Sequence, residues 1–174
     1  CTNYNEHVHL AGSSGACSSE ATGNVGGAAG LLISRALDLG IKLTPNEVKQ
    51  LLTMTADDIK NRCMTMTGGG CQEGFERHFG YGRPNLRNAM QALSDAENHK
   101  IPPEVRIISP RWWSVLDPTA SSQIPIEAYI YARGAQFTYA VEAAKGHEPL
   151  DSAFVLIAAG NGQAPMKGQV ATLN

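Results

Sequence analysis

The residues best suited to chemistry lie close together near the start of the chain. CSSEATGNVGGAAGLL, residues 17–32, sets a cysteine and two serines before a run of small and apolar residues. A serine at the start of a helix gains three things. Its side chain projects from the helix mouth, its own backbone N–H faces the space where an oxyanion would form, and the aligned peptide dipoles add positive potential there. Small residues behind it let the helix sink into a core and hold the serine rigid. That is the layout of an acyl-transfer nucleophile. It is also the layout of any helix with a serine cap, and Ser is among the commonest caps, so layout alone favours the cap.

Candidate partners for such a serine are few. His7 and His9 alternate with Val8 and Leu10 in HVHLAG, which reads as the exposed face of a half-buried strand. His78, His99 and His147 fall in loop sequence and read as surface. GNVGG lacks both the Lys-Ser/Thr ending of a phosphate loop and the spacing of a dinucleotide fold. The cysteines are Cys1, Cys17, Cys63 and Cys71, with no CxxC pair and no histidine at zinc spacing, so no structural metal site is expected. Cys63 and Cys71 bracket MTMTGGG and read as a disulfide-closed excursion. Cys1 with Cys17 is a second candidate pairing, and four free thiols in a reducing cytosol is the alternative. A disulfide implies an oxidising compartment.

Around these residues the pattern predicts a short strand at HVHLAG, a flexible GSSGA loop and a helix over roughly residues 20–38. Ala21, Val25, Ala28, Ala29, Leu32, Ile33 and Ala36 fall at helical spacing. Gly26, Gly27 and Gly30 lie inside that helix, each costing about 1 kcal/mol relative to Ala. Close approach of a neighbouring backbone would compensate, so the helix is expected to be buried nearly all round, with Gly40 stopping it. Thr44-Pro45-Asn46-Glu47 predicts a second helix with a capping threonine, a proline in its first turn and a glutamate at its third position. Its stripe is Val48, Leu51 and Leu52, and it ends near Thr55. Pro84 starts a third helix with Leu86, Ala89, Met90 and Leu93 on one face.

After NHKIPPE, residues 98–104, the character changes. VRIIS, IPIEAYIYARG, QFTYAVEAAKG and SAFVLIAAGNG alternate or run apolar between turn residues, which predicts a second, all-β unit of about four to six strands. A sandwich of immunoglobulin type needs about seven, so the unit is expected to be small or truncated. The adjacent Trp112 and Trp113 divide between core and rim, and no site is assigned to them.

Composition sets the outer bounds. The chain has 174 residues, 43% hydrophobic and 17% charged, with a formal net charge of −2, so no electrostatic footprint for nucleic acid is present. No apolar run reaches the roughly 18 residues of a membrane span. The chain opens CTNYNEHVHLAG without a start methionine and is expected to be a segment of something longer, so the lack of a visible signal peptide carries no information.

Taken in order, these stretches resemble the subtilisin-like serine peptidases. That family carries its nucleophile in Gly-Thr-Ser-Met/Ala-Ala-Thr/Ser-Pro-x-Val-Ala-Gly-Ala-Ala-Ala-Leu. CSSEATGNVGGAAGLL laid on it puts Ser19 on the nucleophile, with Ala21, Thr22, Val25, Gly27, Ala28, Ala29 and Leu31 matching as they stand. TPNEVKQLLTMTADDI resembles the family's Thr-Pro-x-Glu-Val-Lys-x-Leu-Leu helix, GYGRPNLRNAM its closing helix, and TNYNEHVHLAG the strand before the nucleophile. The resemblance covers residues 2–96 without a break in order. Cys17 and Ser18 replace Gly-Thr, Glu20 replaces a small or apolar residue, and Gly23 replaces the proline. Neither Ser18, which would need a register slip, nor Cys17, which no candidate general base supports, takes the nucleophile's place.

The resemblance implies Ser-His-Asp chemistry on Ser19, with polypeptide as substrate and a secreted or cell-envelope location. The family's order puts the aspartate, the histidine and the oxyanion asparagine before the serine, so the 174 residues alone are expected to be inactive. The expected fold is α/β: residues 1–99 as the C-terminal portion of a doubly wound catalytic domain, mainly helices here, and residues 100–174 as an incomplete β-sandwich domain. No cofactor is evident, and calcium in an intact parent and the oligomeric state stay open. A non-catalytic homologue serving as a scaffold or protein-binding module is the competing reading.

Overall fold

The computed structural model of the chain describes residues 7–60, 72–94, 101–111, 114–117, 119–133, 136–146 and 149–174. The excursion between Cys63 and Cys71, Cys1, Trp112, Trp113, His99 and His147 lie outside them. The chain divides into two units, Cys1–Pro102 and Pro103–Asn174, and is mixed α/β, with helices in the first and antiparallel strands in the second.

The first unit holds α1 (Ser18–Asp38), α2 (Pro45–Met54) and α3 (Leu86–Ser94). Their ends follow from named residues. α1 stops at Gly40, whose φ of +71° is cheap only for glycine. Gly40 N then donates to Leu37 O (2.9 Å) and Ile41 N to Ala36 O (2.8 Å), the paired bonds of a Schellman motif. α2 opens with the predicted capping box: Thr44 Oγ1 accepts from Glu47 N at 3.2 Å, and Glu47 Oε2 accepts from Thr44 N at 2.8 Å. α3 begins two residues later than Pro84, because Asn85 caps it by accepting from Asn88 N at 3.0 Å.

The core of this unit gathers Leu32 and Ala36 of α1, Ile41, Val48, Leu51 and Leu52 on and before α2, and Ala89 and Leu93 of α3. Only the C-terminal half of α1 contributes to it. Near-complete burial of α1 is therefore not seen among the described residues. A Cβ built on Gly23, Gly26, Gly27 or Gly30 would meet nothing within 4 Å, and Ile33 and Leu37 are 42% and 62% exposed. The reason is geometric. Helices α2 and α3 together cover one stripe of α1, and no described residue packs on the opposite stripe, where the glycines fall.

The predicted strand at HVHLAG is corrected. Leu10 makes a single bridge with Gly80, supported by Tyr81 N to His9 O (3.0 Å) and Ala11 N to Gly82 O (2.9 Å). Two ladder bonds fix an extended segment and do not extend it into a strand. Residues 80–83 serve on both sides, since Asp57 and Arg83 exchange backbone bonds of 2.8 and 2.9 Å. The Gly80-Tyr81-Gly82 sequence permits this crowding: both glycines have positive φ, and a Cβ on either would strike the backbone it bridges.

The second unit has five strands among the described residues: β1 (Glu104–Ser109), β2 (Ile124–Tyr131), β3 (Gln136–Ala143), β4 (Val155–Gln163) and β5 (Met166–Leu173). They form a sheet of order β1-β2-β5 and a β3-β4 pair, all antiparallel. Alternation decides which side chains turn inward. Ala128, Ile130 and Val170 are buried, and Phe137, Tyr139 and Val141 of the other sheet pack against them.

Candidate active site

The nucleophile candidate stands on the helix mouth. Ser19 is the second residue of α1 and is exposed, and its hydroxyl has no hydrogen-bond partner among the described residues. It lies above the uncovered stripe of α1, one turn before Gly23. The first-turn N–H groups of a helix carry no intrahelical partner, so this is a region of positive potential.

The turn that delivers the chain to Ser19 is closely tied. Cys17 is the N-cap of α1, and no side chain caps the helix there. Glu20, in the first turn of α1, reaches back instead. Its Oε2 accepts from Ser14 Oγ at 3.1 Å, Gly15 N at 3.0 Å and Ala16 N at 3.0 Å. Ser14 Oγ also lies 3.0 Å from both Cys17 O and Ala16 N. Farther along, Asn24 Nδ2 donates to Ser13 O at 2.8 Å. Sequence reasoning noted Glu20 only as a departure from the family's pattern. Its position three residues after the N-cap was the available signal.

On the other side of α1 a groove of about 860 Å³ runs between the helix, the extended segment 8–12 and α2. Its apolar walls include Val25, Leu52 and Phe79, and Ser18, not Ser19, reaches it from the helix mouth. His9, Lys49 and His78 supply polar edges. His9 is half-buried, which corrects its assignment to an exposed strand face; His7 is exposed as expected. Burial, then the ammonium of Lys49 (Nζ 3.5 Å from His9 Nε2) and the ring of His7, hold the His9 imidazole below its ordinary pKa of 6.5. His78 is also half-buried, not a surface residue. Its Nδ1 is 3.1 Å from Glu76 Oε2, and the Glu76 carboxylate accepts from His78 N (2.9 Å) and Phe79 N. A buried carboxylate closes this turn by taking up its N–H groups, so the ring is held inward. Among the described residues no hydrogen bond joins a histidine to Ser19, and no group of three or more His, Cys, Asp or Glu could hold a metal ion.

The structure thus places, in chain order, an exposed serine at the mouth of a glycine- and alanine-rich helix, a Thr-Pro-capped helix, and a Gly-Tyr-Gly bridge that pins the preceding segment. The family comparison finds that residues 3–82 match the sequence model of the subtilase family. The match takes in α1, α2 and the Gly80–Gly82 bridge and ends before α3. Comparison with curated proteins and with solved structures returns no match. Among the described residues no helix is long and apolar enough to cross a membrane.

Proposed function

We propose that the chain is part of a serine endopeptidase that cleaves polypeptides through an acyl-enzyme on Ser19. The observation that supports this is that CSSEATGNVGGAAGLL, the stretch resembling the family's nucleophile motif, lies inside the residues 3–82 that match the subtilase model, and that Ser19 stands exposed in the first turn of α1. In that place the Ser19 N–H and the helix dipole would face a developing oxyanion. A serine without a base is a weak nucleophile. The base and its orienting carboxylate, by the family's order, come from sequence before the nucleophile, so residues 1–174 alone are inactive in this reading. The β unit is an appended sandwich whose two sheets face each other across Ile130 and Phe137. A secreted or envelope location accords with the cysteine pairings expected from the sequence.

The test is a fluorophosphonate probe applied to the full-length gene product, followed by peptide mass mapping. Labelling at Ser19, with peptide hydrolysis abolished in Ser19→Ala, is the expected result. A folded protein that takes no label and hydrolyses no peptide is the non-catalytic homologue instead. Label on Ser18, the serine that reaches the groove, would move the register by one.

A further inference from the structure

We propose that Glu20 is a positioning residue: its carboxylate ties residues 14–16 to the first turn of α1 and so fixes where Ser19 stands. The inference rests on the reading of Ser19 as nucleophile. The family reaches its serine through Gly-Thr, a tight turn, whereas here Cys17 and Ser18 occupy those places. Cys17, with φ −45° and ψ −169°, offers no side-chain oxygen to the helix. Glu20 occupies the place of the acid in a capping box, but it bypasses the N-cap N–H and gathers three donors from farther back on one oxygen, Ser14 Oγ, Gly15 N and Ala16 N. Charge-assisted bonds of this kind are roughly twice as strong as neutral ones. The peptide of Ser19 lies between the clamped loop and the clamping residue, so it is held from both sides. The carboxylate replaces the conformational tightness that a glycine at position 17 would supply.

A carboxylate at the helix mouth also has an opposing effect, because negative charge there disfavours an oxyanion. Size and charge variants separate the two. In Glu20→Gln the amide oxygen keeps an acceptor at the same reach without the charge. In Glu20→Asp the charge stays but the side chain is one methylene short. Glu20→Ala has neither.

The experiment uses the full-length gene product. It measures the rate of fluorophosphonate labelling at Ser19, kcat and KM on a peptide, and amide hydrogen exchange in the segment spanning residues 13–19. We expect Glu20→Gln within about threefold of the parent, and Glu20→Ala and Glu20→Asp slower by about 10- to 100-fold in labelling and kcat with KM little changed, as for a nucleophile displaced by a fraction of an ångström. Exchange at Gly15 and Ala16 should quicken in the same two variants only. Parent-like labelling in Glu20→Ala overturns the proposal, as does labelling in Glu20→Gln faster than that threefold range or unchanged exchange in Glu20→Ala. A parent that labels nowhere overturns the nucleophile reading itself and removes the catalytic role of Glu20. The exchange measurement is independent of that outcome and decides whether the carboxylate holds the loop.

Discussion

Asn85 bonds two elements at once: its Nδ2 donates to Asp57 Oδ1 at 2.8 Å while its Oδ1 accepts from Asn88 N at 3.0 Å, so one side chain caps α3 and holds the segment that leaves α2. Asn85→Ala removes both. The lost cap alone costs about 1 kcal/mol. Urea unfolding should show a lower midpoint at neutral pH, and an unchanged midpoint would mean that the cap is replaced by water without loss.

The same contact sets an acid dependence. Hydrogen bonds from Asn85 and then Arg83 hold the Asp57 carboxyl below its ordinary value of 3.8. A carboxyl with a lowered folded pKa contributes stability that is complete above the unfolded value and is lost as pH falls through the folded one. Asn85→Ala brings the two values closer, with Arg83 still holding the carboxyl down, so the variant should lose less stability on acidification than the parent. The check is the urea midpoint followed from about pH 5 to pH 2 in both proteins.

What could be read from the sequence here was whatever is local. Thr44, Pro45 and Glu47 specify the start of α2 within four residues, and Gly40 specifies the end of α1, because caps depend on near neighbours. The strand pattern of the second unit was equally legible, since alternation such as Ile126, Ala128, Ile130 records which face is buried. Burial of α1 was not legible. Its glycines look the same whether a backbone packs on them or nothing does, and that is decided by residues far away in the chain. His9 and Val8 show the same limit: alternation announces a strand only if a partner edge continues beside it, and here the partner is the short 80–82 segment. Ser19 was singled out by its place in a family pattern, whereas Glu20's place three residues after the N-cap signals a capping carboxylate but not that it bonds loop 14–16, which depends on how that loop turns back.

His9 provides a second titration with the opposite chemistry and the same sign. Its folded pKa is lowered by burial, Lys49 and His7, so the neutral ring is the stable form. Protonation favours the unfolded chain. The contribution is therefore full above the unfolded value near 6.5 and is lost as pH falls through the folded value. Lys49→Gln should raise the His9 pKa toward 6.5 and shrink this loss. The imidazole Cε1 proton followed by NMR reads the pKa directly, and an unmoved titration would remove Lys49 as a cause.

Thr44→Ala tests the capping box. Thr44 Oγ1 is the acceptor for Glu47 N, and Glu47 is only 2% exposed, so its carboxylate stays bonded to Thr44 N in the variant. A loss of about 1 kcal/mol is expected from one missing cap bond. Glu47→Ala should cost more, because it removes the acceptor for Thr44 N and empties a buried site. Thermal unfolding that ranks the two in the reverse order would contradict the reciprocal arrangement.

Gly12 and Gly26 make opposite predictions for one substitution. A Cβ on Gly12 would sit 2.8 Å from Ala21 O and 3.1 Å from Val25 Cγ2, and the first of these is helix backbone that cannot move aside. Gly12→Ala should therefore push segment 8–12 off α1 and cost about 1–3 kcal/mol, the range for overpacking a close contact. Gly26 lies in the helix interior with nothing within 4 Å of a built Cβ. Gly26→Ala should stabilise residues 1–174 by about 0.5–1 kcal/mol, through the helix propensity that glycine forfeits. Melting temperatures of the two variants, compared with the parent chain, should shift in opposite directions. Repeating the Gly26 measurement in the full-length gene product reads the covering of that stripe: stabilisation there means that the stripe stays open, and destabilisation means that a backbone lies against Gly26, about two turns along α1 from Ser19.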